Sequence, residues 1–374
     1  MKNLVFFSTL TAGSLLWKSG AVFRRGRVRR AAETLGRKPD PRLAVYHQGG
    51  IGSGLMLAPM LAALRRAKPG CAIQLYSHQE QEGWFLKAGG LVDGFFVIPR
   101  AGRPAQMGGP AYDALLSAAR TYDGARAAGG IRAKLKIGFH HPVGWHARSG
   151  LYQDITIPIS YQEHEVQANM GLLAPFGDVP PVPPEVLSDD SPLFSGGPAP
   201  AVRAGVAFHP GGGKGLAWKR YPLERMIEAA VLIRKELGAD IFAVAGPDET
   251  EEARVMADRL GQGSQVFRTT SSLVDTFNFL RTVRCLVTSD SMMMHLAAAA
   301  QCPQVTLIGP TNPYLSGPWC GPSLCRIVSH PLYCSPCYKL YSGLLNCINR
   351  HHLECLDVIS PREILEAARS LCRE

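Results

Sequence analysis

The sequence predicts an α/β fold with two doubly wound domains that face a central cleft. From residue 42 onward, short apolar runs alternate with stretches of helical periodicity. The alternation stops at a proline-rich stretch, residues 178–201, and then begins again. Strands and helices in alternation are typical of βαβ units and a parallel sheet. The length of 374 residues also suits two to three domains of roughly 150 residues each.

Composition and charge exclude several classes of protein. Hydrophobic residues make up 46% and charged residues 19% of the chain, which excludes a disordered chain, a collagen-like repeat and a small disulfide scaffold. The formal net charge is +10, yet residues 1–42 alone hold ten basic and two acidic side chains, a net +8. A nucleic-acid-binding domain carries its basic excess within the fold. We therefore expect no nucleic-acid partner.

Residues 1–41 predict a basic helix at a membrane surface. Residues 4–17 form an uncharged stretch of 14 residues, and a transmembrane helix needs about 20 apolar residues. Basic residues follow this stretch, whereas a secretory signal carries its positive charge before the apolar run. The order suits a helix in the interface whose basic part contacts anionic headgroups. We expect residues 1–30 to contact the membrane, with the protein cytoplasmic and peripheral on the inner membrane. A single-pass anchor and a docked or frayed helix are the alternatives.

The first domain is predicted over residues 42–177. Its first strand, residues 42–47, leads into a glycine-rich turn and then into an apolar helix. The elements that follow are a strand at 71–77, a helix at 80–88 and a strand at 95–98. Residues 178–201 contain seven prolines, a density that neither a helix nor a sheet tolerates, so they predict a linker.

The second domain is predicted over residues 202–358. Its predicted strands are 204–208, 241–245, 285–289 and 305–308. Its predicted helices are at about 222–237, 249–260, 272–281 and 292–300. The last segment, residues 359–374, predicts a separate helix. Ser360 suits its N-cap, Pro361 suits the first helical position, and Glu363 completes a capping box.

A glycine loop, HPGGGKG at 209–215, follows the first strand of the second domain. Glycines let backbone N–H groups approach an anion closely, and Lys214, Lys219 and Arg220 add positive charge nearby. The spacing is not that of a Walker loop. The loop predicts a phosphate site, with an ordinary glycine turn and solvated lysines as the alternative.

Three further strand ends carry polar residues or glycine. Glu249 follows a buried strand, where a carboxylate commonly holds ribose hydroxyls or else stabilises a helix N-terminus. In the string SDSMMMHLAAAA at 289–300, a predicted strand is followed directly by a helix. The first N–H groups of that helix suit a diphosphate. The next strand ends in IGPTNP at 308–313. We expect these ends to meet at the cleft, since ligands of such sheets bind outside the carboxyl ends of the strands.

Taken in order, these motifs resemble those of the ADP-heptose:lipopolysaccharide heptosyltransferases, glycosyltransferase family 9. The family shows a glycine turn after the first strand, then HPG with a downstream W-x-K-R-[WY]-P, GP-x-E, S-D-S-x-x-x-H-x-A-A-A and F-G-P-T. This sequence has GGIGSG, HPGGGKG with WKRYP, GPDE, SDSMMMHLAAA and IGPT. The resemblance covers residues 42–370. It implies two Rossmann-like domains in the GT-B arrangement and an inverting, metal-independent sugar transfer. The implied donor is a nucleotide sugar such as ADP-heptose, and the implied acceptor is a lipopolysaccharide-type or other lipid-linked saccharide.

The resemblance also implies roles for residues of the second domain. Glu249 would hold the ribose, and Asp290 and His295 would shape the diphosphate and sugar site. Helix N–H groups at 292–294, with Lys219, would stabilise the charge on the leaving diphosphate, at about 3 kcal/mol for each preorganised donor. The implied donor-binding residues are His209, Gly211, Gly212, Lys214, Lys219, Arg220, Glu249, Asp290, Ser291, Met292, Met293, Met294, His295, Gly309, Pro310 and Thr311.

Two departures from the family pattern affect catalysis. The first loop of the family usually reads I-G-D, and its aspartate is the general base, whereas this sequence has Ser53. A serine hydroxyl needs a partner to act as a base at neutral pH, and His47, which is nearby in sequence, is a candidate to replace the aspartate. Met292 stands where the family has glycine. These departures keep two alternatives open: a catalytically silent relative that binds a nucleotide sugar or a partner protein, and a nucleotide-sugar epimerase on the same fold.

The first domain is expected to bind the acceptor. Its basic and aromatic stretch, KLKIGFHHPVGWHAR at 134–148, suits a phosphorylated glycolipid. A strand followed by a solvated loop is the alternative. The predicted acceptor-binding residues are Gly50, Gly52, Lys136, His140 and Trp145.

Six of the ten cysteines fall between residues 320 and 355. Four of them, Cys334, Cys337, Cys347 and Cys355, have a spacing that suits structural Zn²⁺ or an iron–sulfur cluster. Packed reduced thiols and disulfides are the alternatives. The candidates for the cleft wall beside these cysteines are His330, Tyr333, Tyr338 and Lys339. We expect catalysis itself to need no cofactor.

Overall fold

The computed structural model describes residues 14–99, 111–140, 145–160, 162–177, 179–180, 204–213, 215–246, 249–262, 264–268, 272–339, 344–345 and 347–372. Most of the predicted linker, 178–201, and the first 13 residues of the predicted membrane segment lie outside this part of the chain. The prediction of two α/β domains is confirmed by two separate six-stranded sheets.

The first sheet is parallel throughout, in the order β3-β2-β1-β4-β5-β6. Its strands are β1 (Arg42–Tyr46), β2 (Ala72–Ser77), β3 (Gly94–Val97), β4 (Tyr112–Ser117), β5 (Ala133–His140) and β6 (Ile155–Pro158). The helices of this half are α1 (Ser14–Arg37), α2 (Ile51–Leu55), α3 (Ala58–Ala67), α4 (Glu80–Ala88), α5 (Tyr122–Ala128) and α6 (Glu165–Met170), with 3₁₀ helices at Trp145–Tyr152 and Gly171–Phe176. The predicted helix at 80–88 has the observed limits of α4.

The second sheet repeats this topology in the order β12-β11-β10-β7-β8-β9, again all parallel. Its strands are β7 (Ala204–His209), β8 (Ile241–Ala245), β9 (Ser264–Arg268), β10 (Val283–Ser289), β11 (Gln304–Leu307) and β12 (Cys325–Val328). The helices are α7 (Leu223–Leu237), α8 (Thr250–Leu260), α9 (Leu273–Leu280), α10 (Met292–Ala299), α11 (Pro313–Ser316), α12 (Glu354–Asp357) and α13 (Pro361–Leu371), with a 3₁₀ turn at Ala217–Lys219. Two short strands, β13 (Tyr338–Lys339) and β14 (Leu344–Leu345), pair antiparallel.

The central strands form because both faces of each sheet are covered. Leu43, Val45 and their neighbours in β1 are fully buried, as are most residues of β10. Parallel strands buried on both faces appear in sequence as continuous apolar runs, which explains why these strands were predictable. The predicted capping box of the last helix is also confirmed, because Ser360 Oγ accepts from Glu363 N and the Glu363 carboxylate accepts from Ser360 N at 2.8 Å.

One apolar cluster joins the two domains. Phe85 of α4 meets Phe277 of α9 edge-on, with ring centroids 5.6 Å apart. Leu296 and Met293 of α10 belong to the same cluster. Helix α2, which follows β1, packs on α10, which follows β10. The loops at the carboxyl ends of the two sheets are therefore held face to face.

Helix α1 is docked on the first domain at its carboxyl end. Leu35 is buried, and Lys68 Nζ donates to the carbonyl of Gly36. Toward its middle the helix exposes a set of arginines, namely Arg25, Arg27, Arg29 and Arg30. Within the described part of the chain, no helix is both long and apolar enough to span a bilayer.

Candidate active site

The predicted site residues lie at the topological switch points of the two sheets. The strand order reverses between β1 and β4 in the first sheet and between β7 and β10 in the second, which is where ligands bind in doubly wound folds. A Cβ atom placed on Gly52 would lie 3.0 Å from His295 Cδ2 and 3.5 Å from Met292 Cα. The glycine turn of the first domain and the start of α10 therefore meet directly across the cleft.

The N-terminus of α10 is open to an anion. Its N-cap, Ser291, makes no side-chain capping hydrogen bond, so the first N–H groups of the helix lack that partner. The side chains of Met293 and Met294 are buried in the core, and Met294 N donates to the carbonyl of Ser291 at 3.2 Å. Met292 is partly exposed at the cleft. This placement suits the predicted diphosphate position.

A buried ion pair stands beside this helix terminus. Lys219 Nζ lies 3.0 Å from Asp290 Oδ2, with the two side chains 13% and 8% exposed. The ammonium also lies 5.4 Å from the ring centroid of Trp218 and 5.2 Å from that of Tyr338, within the range of cation–π attraction. Burial raises the pKa of the Tyr338 phenol, so it remains a neutral donor. Lys219 is thus fixed next to the α10 terminus by three neighbours.

Two predicted donor-site histidines are neutral at physiological pH. Burial is the main reason that the pKa of His209 falls to about 4, and the same holds for His295. His209 Nδ1 lies 3.2 Å from Thr288 Oγ1. Both rings therefore act as hydrogen-bonding groups, and neither adds positive charge for a diphosphate.

The Glu249 side chain packs against the glycine loop and accepts a hydrogen bond from it. Its Oε1 accepts a hydrogen bond from Gly213 N at 3.1 Å, and Arg220 lies 3.9 Å away. A Cβ atom on Gly211 would lie 2.3 Å from Glu249 Cγ, so only glycine permits this approach. A Cβ on Gly212 would meet Arg220 Cγ at 3.0 Å. Glu249 is also the N-cap residue of α8, so the helix-terminus and ligand interpretations are compatible.

The loop after β11 supports Tyr338. The carbonyl of Pro310 accepts from Cys337 N at 3.1 Å and from Tyr338 N at 3.0 Å. A Cβ on Gly309 would lie 2.6 Å from Leu356 Cγ. Thr311 Oγ1 is buried and has no hydrogen-bond partner among the described residues. The Pro310 carbonyl thus holds the backbone of Tyr338, whose ring lies beside the Lys219 ammonium.

Ser53 and His47, the predicted catalytic pair, are in contact. His47 Nε2 lies 3.1 Å from Ser53 Oγ, and His47 Nδ1 lies 2.8 Å from Glu82 Oε2. Glu82 was missed by the sequence reasoning because it belongs to none of the motifs. The available signal was its spacing from Phe85 and Leu86, which places it on the apolar face of α4.

The predicted acceptor residues separate into two groups. Gly50 is the N-cap of α2, and Gly52 faces His295. His140 ends β5 at the cleft side of the sheet. Lys136 instead donates to the carbonyl of Gly129, in the turn that enters β5, so its ammonium lies at the amino end of the sheet, away from the cleft. The side chain of Trp145 lies outside the described part of the chain. The same holds for Lys214, a predicted donor-site residue.

The expected metal site is not formed. Among the residues that the structure describes, no three His, Cys, Asp or Glu side chains are arranged to hold a metal ion. Cys334, Cys337, Cys347 and Cys355 are free thiols, of which Cys355 alone is buried. Burial, with the nearby thiols of Cys337, Cys334 and Cys347, raises the pKa of Cys355 to about 11. Cys320 and Cys325 form a disulfide, a pairing that the spacing did not single out.

Comparison with solved structures shows the same fold. Escherichia coli heptosyltransferase WaaC with ADP is 20% identical, covers 76% of this chain and 92% of its own, and has a TM-score of 0.64. The family 9 glycosyl transferase of Veillonella parvula is 18% identical over 89% of this chain and 97% of its own, with a TM-score of 0.67. E. coli ADP-heptose LPS heptosyltransferase II is 16% identical over 88% and 98%, with a TM-score of 0.65. The GT-B fold is thereby confirmed.

A search of curated proteins by sequence found no match. The sequence profile of glycosyltransferase family 9 (heptosyltransferase), however, matches residues 105–346. This range includes the glycine loop, Glu249 and the start of α10, the motifs that carried the resemblance. The chain is a glycosyltransferase and belongs to glycosyltransferase family 9, the heptosyltransferase family.

Proposed function

We propose that this enzyme transfers heptose from ADP-heptose to a lipid-linked saccharide of the lipopolysaccharide type, with inversion and without a catalytic metal. The observation that carries the proposal is the contact across the cleft. Ser53 and His47 stand on one side of it, and the α10 terminus with Lys219 stands on the other. A group that accepts a proton thus faces a group that stabilises an anion.

The donor assignment rests on charge and on the relatives. The structures of WaaC are described with ADP and with ADP-2-deoxy-2-fluoro heptose. A diphosphate at the α10 terminus would meet the Lys219 ammonium, which is already in place. As the diphosphate leaves, these preorganised donors stabilise its growing charge, at about 3 kcal/mol for each. Glu249 at the glycine loop is positioned for the ribose hydroxyls.

The reaction is a single displacement. The acceptor oxygen attacks the anomeric carbon on the face opposite the diphosphate, and the anomeric C–O bond breaks with its electron pair going to ADP. One displacement inverts the anomeric configuration. The acceptor proton passes to the Ser53–His47 pair, which stands in place of the aspartate of the family pattern.

The acceptor assignment rests on the first domain and on α1. The exposed arginines of α1 suit an anionic lipid surface. His140 lies at the cleft end of β5, with Nδ1 buried and without a hydrogen-bond partner among the described residues. The exposed basic face of α1 and the position of His140 at the cleft end of β5 both suit a lipid-linked, phosphorylated acceptor. We propose peripheral association with the cytoplasmic face of the inner membrane on this basis.

A transfer assay tests the proposal. Purified enzyme is incubated with ADP-heptose, ADP-glucose, GDP-mannose or UDP-N-acetylglucosamine, with and without heptose-deficient lipopolysaccharide, and products are followed by mass spectrometry. We expect transfer from the ADP-heptose donor only, dependent on acceptor and unaffected by EDTA. Donor binding without transfer to any acceptor would favour the catalytically silent relative. Conversion of the free nucleotide sugar without acceptor would favour an epimerase.

A further inference from the structure

Glu82 is a buried carboxylate beside the proposed base. It is 0% exposed, and its Oε2 lies 2.8 Å from His47 Nδ1 and 2.9 Å from Ser77 Oγ. Ser77 Oγ accepts from Gln79 N at 3.0 Å, so its own proton points to Glu82. Burial of an ionised carboxylate is costly unless it is paired and hydrogen-bonded. His47 is the ion-pair partner that the described residues offer it.

These contacts favour one tautomer of His47. An ionised Glu82 carboxylate would only accept hydrogen bonds, and it would therefore require a hydrogen on His47 Nδ1. The lone pair is then on Nε2, which faces Ser53 Oγ at 3.1 Å. A carboxylate that accepts from one ring nitrogen and so fixes the histidine tautomer is common at catalytic and metal sites.

The glycine turn is shaped around these groups. A Cβ atom on Gly54 would lie 2.2 Å from Glu82 Cδ. A Cβ on Gly49 would lie 2.4 Å from Ser53 Oγ and 2.8 Å from His47 Nε2. Both glycines therefore make room for the Ser53–His47–Glu82 arrangement, which we call the triad.

Ser53 controls access to His47. The imidazole is 3% exposed, whereas Ser53 is partly exposed at the turn. Ser53 Oγ also lies 2.9 Å from the carbonyl of Gly50. The hydroxyl thus has two acceptors for one proton. It can donate to Nε2 when the imidazole is neutral and to Gly50 when Nε2 is protonated.

We propose that Glu82 is a positioning residue that prepares His47 to take the acceptor proton through Ser53, an inference that rests on the proposed transfer. The acceptor hydroxyl gives its proton to Ser53 Oγ while Ser53 gives its own proton to His47 Nε2. The acceptor oxygen bonds to the anomeric carbon, and the leaving diphosphate takes the electron pair of the broken C–O bond. The imidazolium is stabilised by the Glu82 carboxylate and later loses its proton to water.

The first test is kinetic, with Glu82→Gln as the main variant and Glu80→Gln, an exposed carboxylate of the same helix, as its control. We expect Glu82→Gln to lower kcat by about 10²-fold, the lower end of the range for general-base catalysis. The KM values for donor and acceptor should change by less than about twofold, and Glu80→Gln should match wild type. An unchanged kcat in Glu82→Gln would overturn the proposal.

A double-mutant cycle separates positioning from structure. Ser53→Asp restores the carboxylate of the family pattern, which accepts the proton directly. We expect Glu82→Gln to cost at least tenfold less in the Ser53→Asp background than in wild type. An equal loss in both backgrounds would mean that Glu82 acts on the fold alone and would overturn the proposal. Such coupling is expected only between groups that act together.

The tautomer of His47 tests the triad without substrate. In ¹⁵N-histidine-labelled enzyme, the signals of His47 are assigned by their loss in His47→Gln. We expect Nδ1 to be protonated in wild type and a mixture of tautomers in Glu82→Gln. A protonated Nε2 with a free Nδ1 in wild type would overturn the triad. Because this measurement needs no substrate, it stands even if the transfer assay shows that the proposed donor or acceptor is wrong.

Discussion

The two sides of the cleft place their functional groups in different ways. On the donor side, Lys219 ends the 3₁₀ turn Ala217–Lys219, and Asp290 lies between β10 and α10, where the two side chains form a largely buried ion pair. On the acceptor side, His47 and Glu82 form a buried pair from a strand end and a helix 35 residues apart. Lys219 and Asp290 both belong to the motifs of the family pattern, whereas Glu82 belongs to none of them. The donor side is consequently visible as motifs, and the acceptor side is assembled by packing.

The largest expected effect is on the acceptor side. His47→Gln removes the nitrogen that receives the proton, so kcat should fall by about 10²- to 10⁴-fold. Donor affinity should not change, because His47 lies on the opposite side of the cleft from Lys219. Turnover kinetics and calorimetry with ADP-heptose check the two quantities. A loss of donor affinity equal to the loss of kcat would show that the two sides do not act separately.

A substitution on the donor side should weaken ADP binding as well as lower activity. Lys219→Ala removes the cation beside the α10 terminus and should lower kcat/KM by about 10²- to 10³-fold, with weaker ADP binding. Lys235→Ala, the same change on an exposed turn of α7, is the control and should match wild type. Calorimetry with ADP measures the binding part. Wild-type affinity for ADP in Lys219→Ala would place the diphosphate elsewhere.

Two glycine substitutions should have smaller effects, and they test the donor side and the acceptor side separately. Gly211→Ala forces a Cβ against Glu249, and Gly54→Ala forces one against Glu82. Each should cost about 1–3 kcal/mol of stability, as overpacking does. Gly211→Ala should weaken donor binding, whereas Gly54→Ala should lower kcat with donor binding retained. Thermal unfolding and calorimetry distinguish them. Gly26→Ala, where a Cβ meets nothing within 4 Å, is the control.

The smallest expected effect is the pH dependence of stability from the donor-side histidines. His209 and His295 have a pKa of about 4 in the fold, against about 6.5 in an unfolded chain. The unfolded state therefore binds protons first as the pH falls. Stability is fully present above pH 6.5 and is lost between 6.5 and 4, by about 1 kcal/mol for each histidine at pH 5.5.

Thermal unfolding between pH 7.5 and 5.5 measures this loss. His209→Gln should flatten the slope, because it removes one of the two groups. His351→Gln, which changes an exposed histidine, should leave the slope as in wild type. A wild-type Tm that stays constant over this range would show that the buried histidines are not neutral in the fold.

Much of the fold was predictable from the sequence because its signals are local. The helix at 80–88 and the strand at 241–245 were predicted with their observed limits. The cap of the last helix followed from Ser360 and Glu363. Apolar periodicity and capping chemistry act within one or two turns of chain. These local patterns can therefore be recognised in the sequence alone, and the folded chain retains them.

The site was predictable only in part. Lys136 and His140 are near in sequence, yet the Lys136 side chain reaches back to Gly129 at the amino end of β5, whereas His140 ends the strand at its carboxyl end. The spacing of the four cysteines suited a metal, but in the described part of the chain they are free thiols that are not arranged to hold one. The separation of two residues in the sequence does not determine which end of a strand a side chain reaches. It also does not determine how far apart two side chains lie in the folded chain.

The sequence by itself determined the two α/β domains, the donor-side motifs and the family, because each of these depends on residues close together in the chain. The tertiary structure alone decided that Glu82 stands behind His47 and that Gly52 meets His295. The first contact needs α4 to pack over the end of β1, and the second needs the two domains to close on a shared core. Contacts between distant segments depend on how elements are stacked, and no local pattern encodes that stacking by itself.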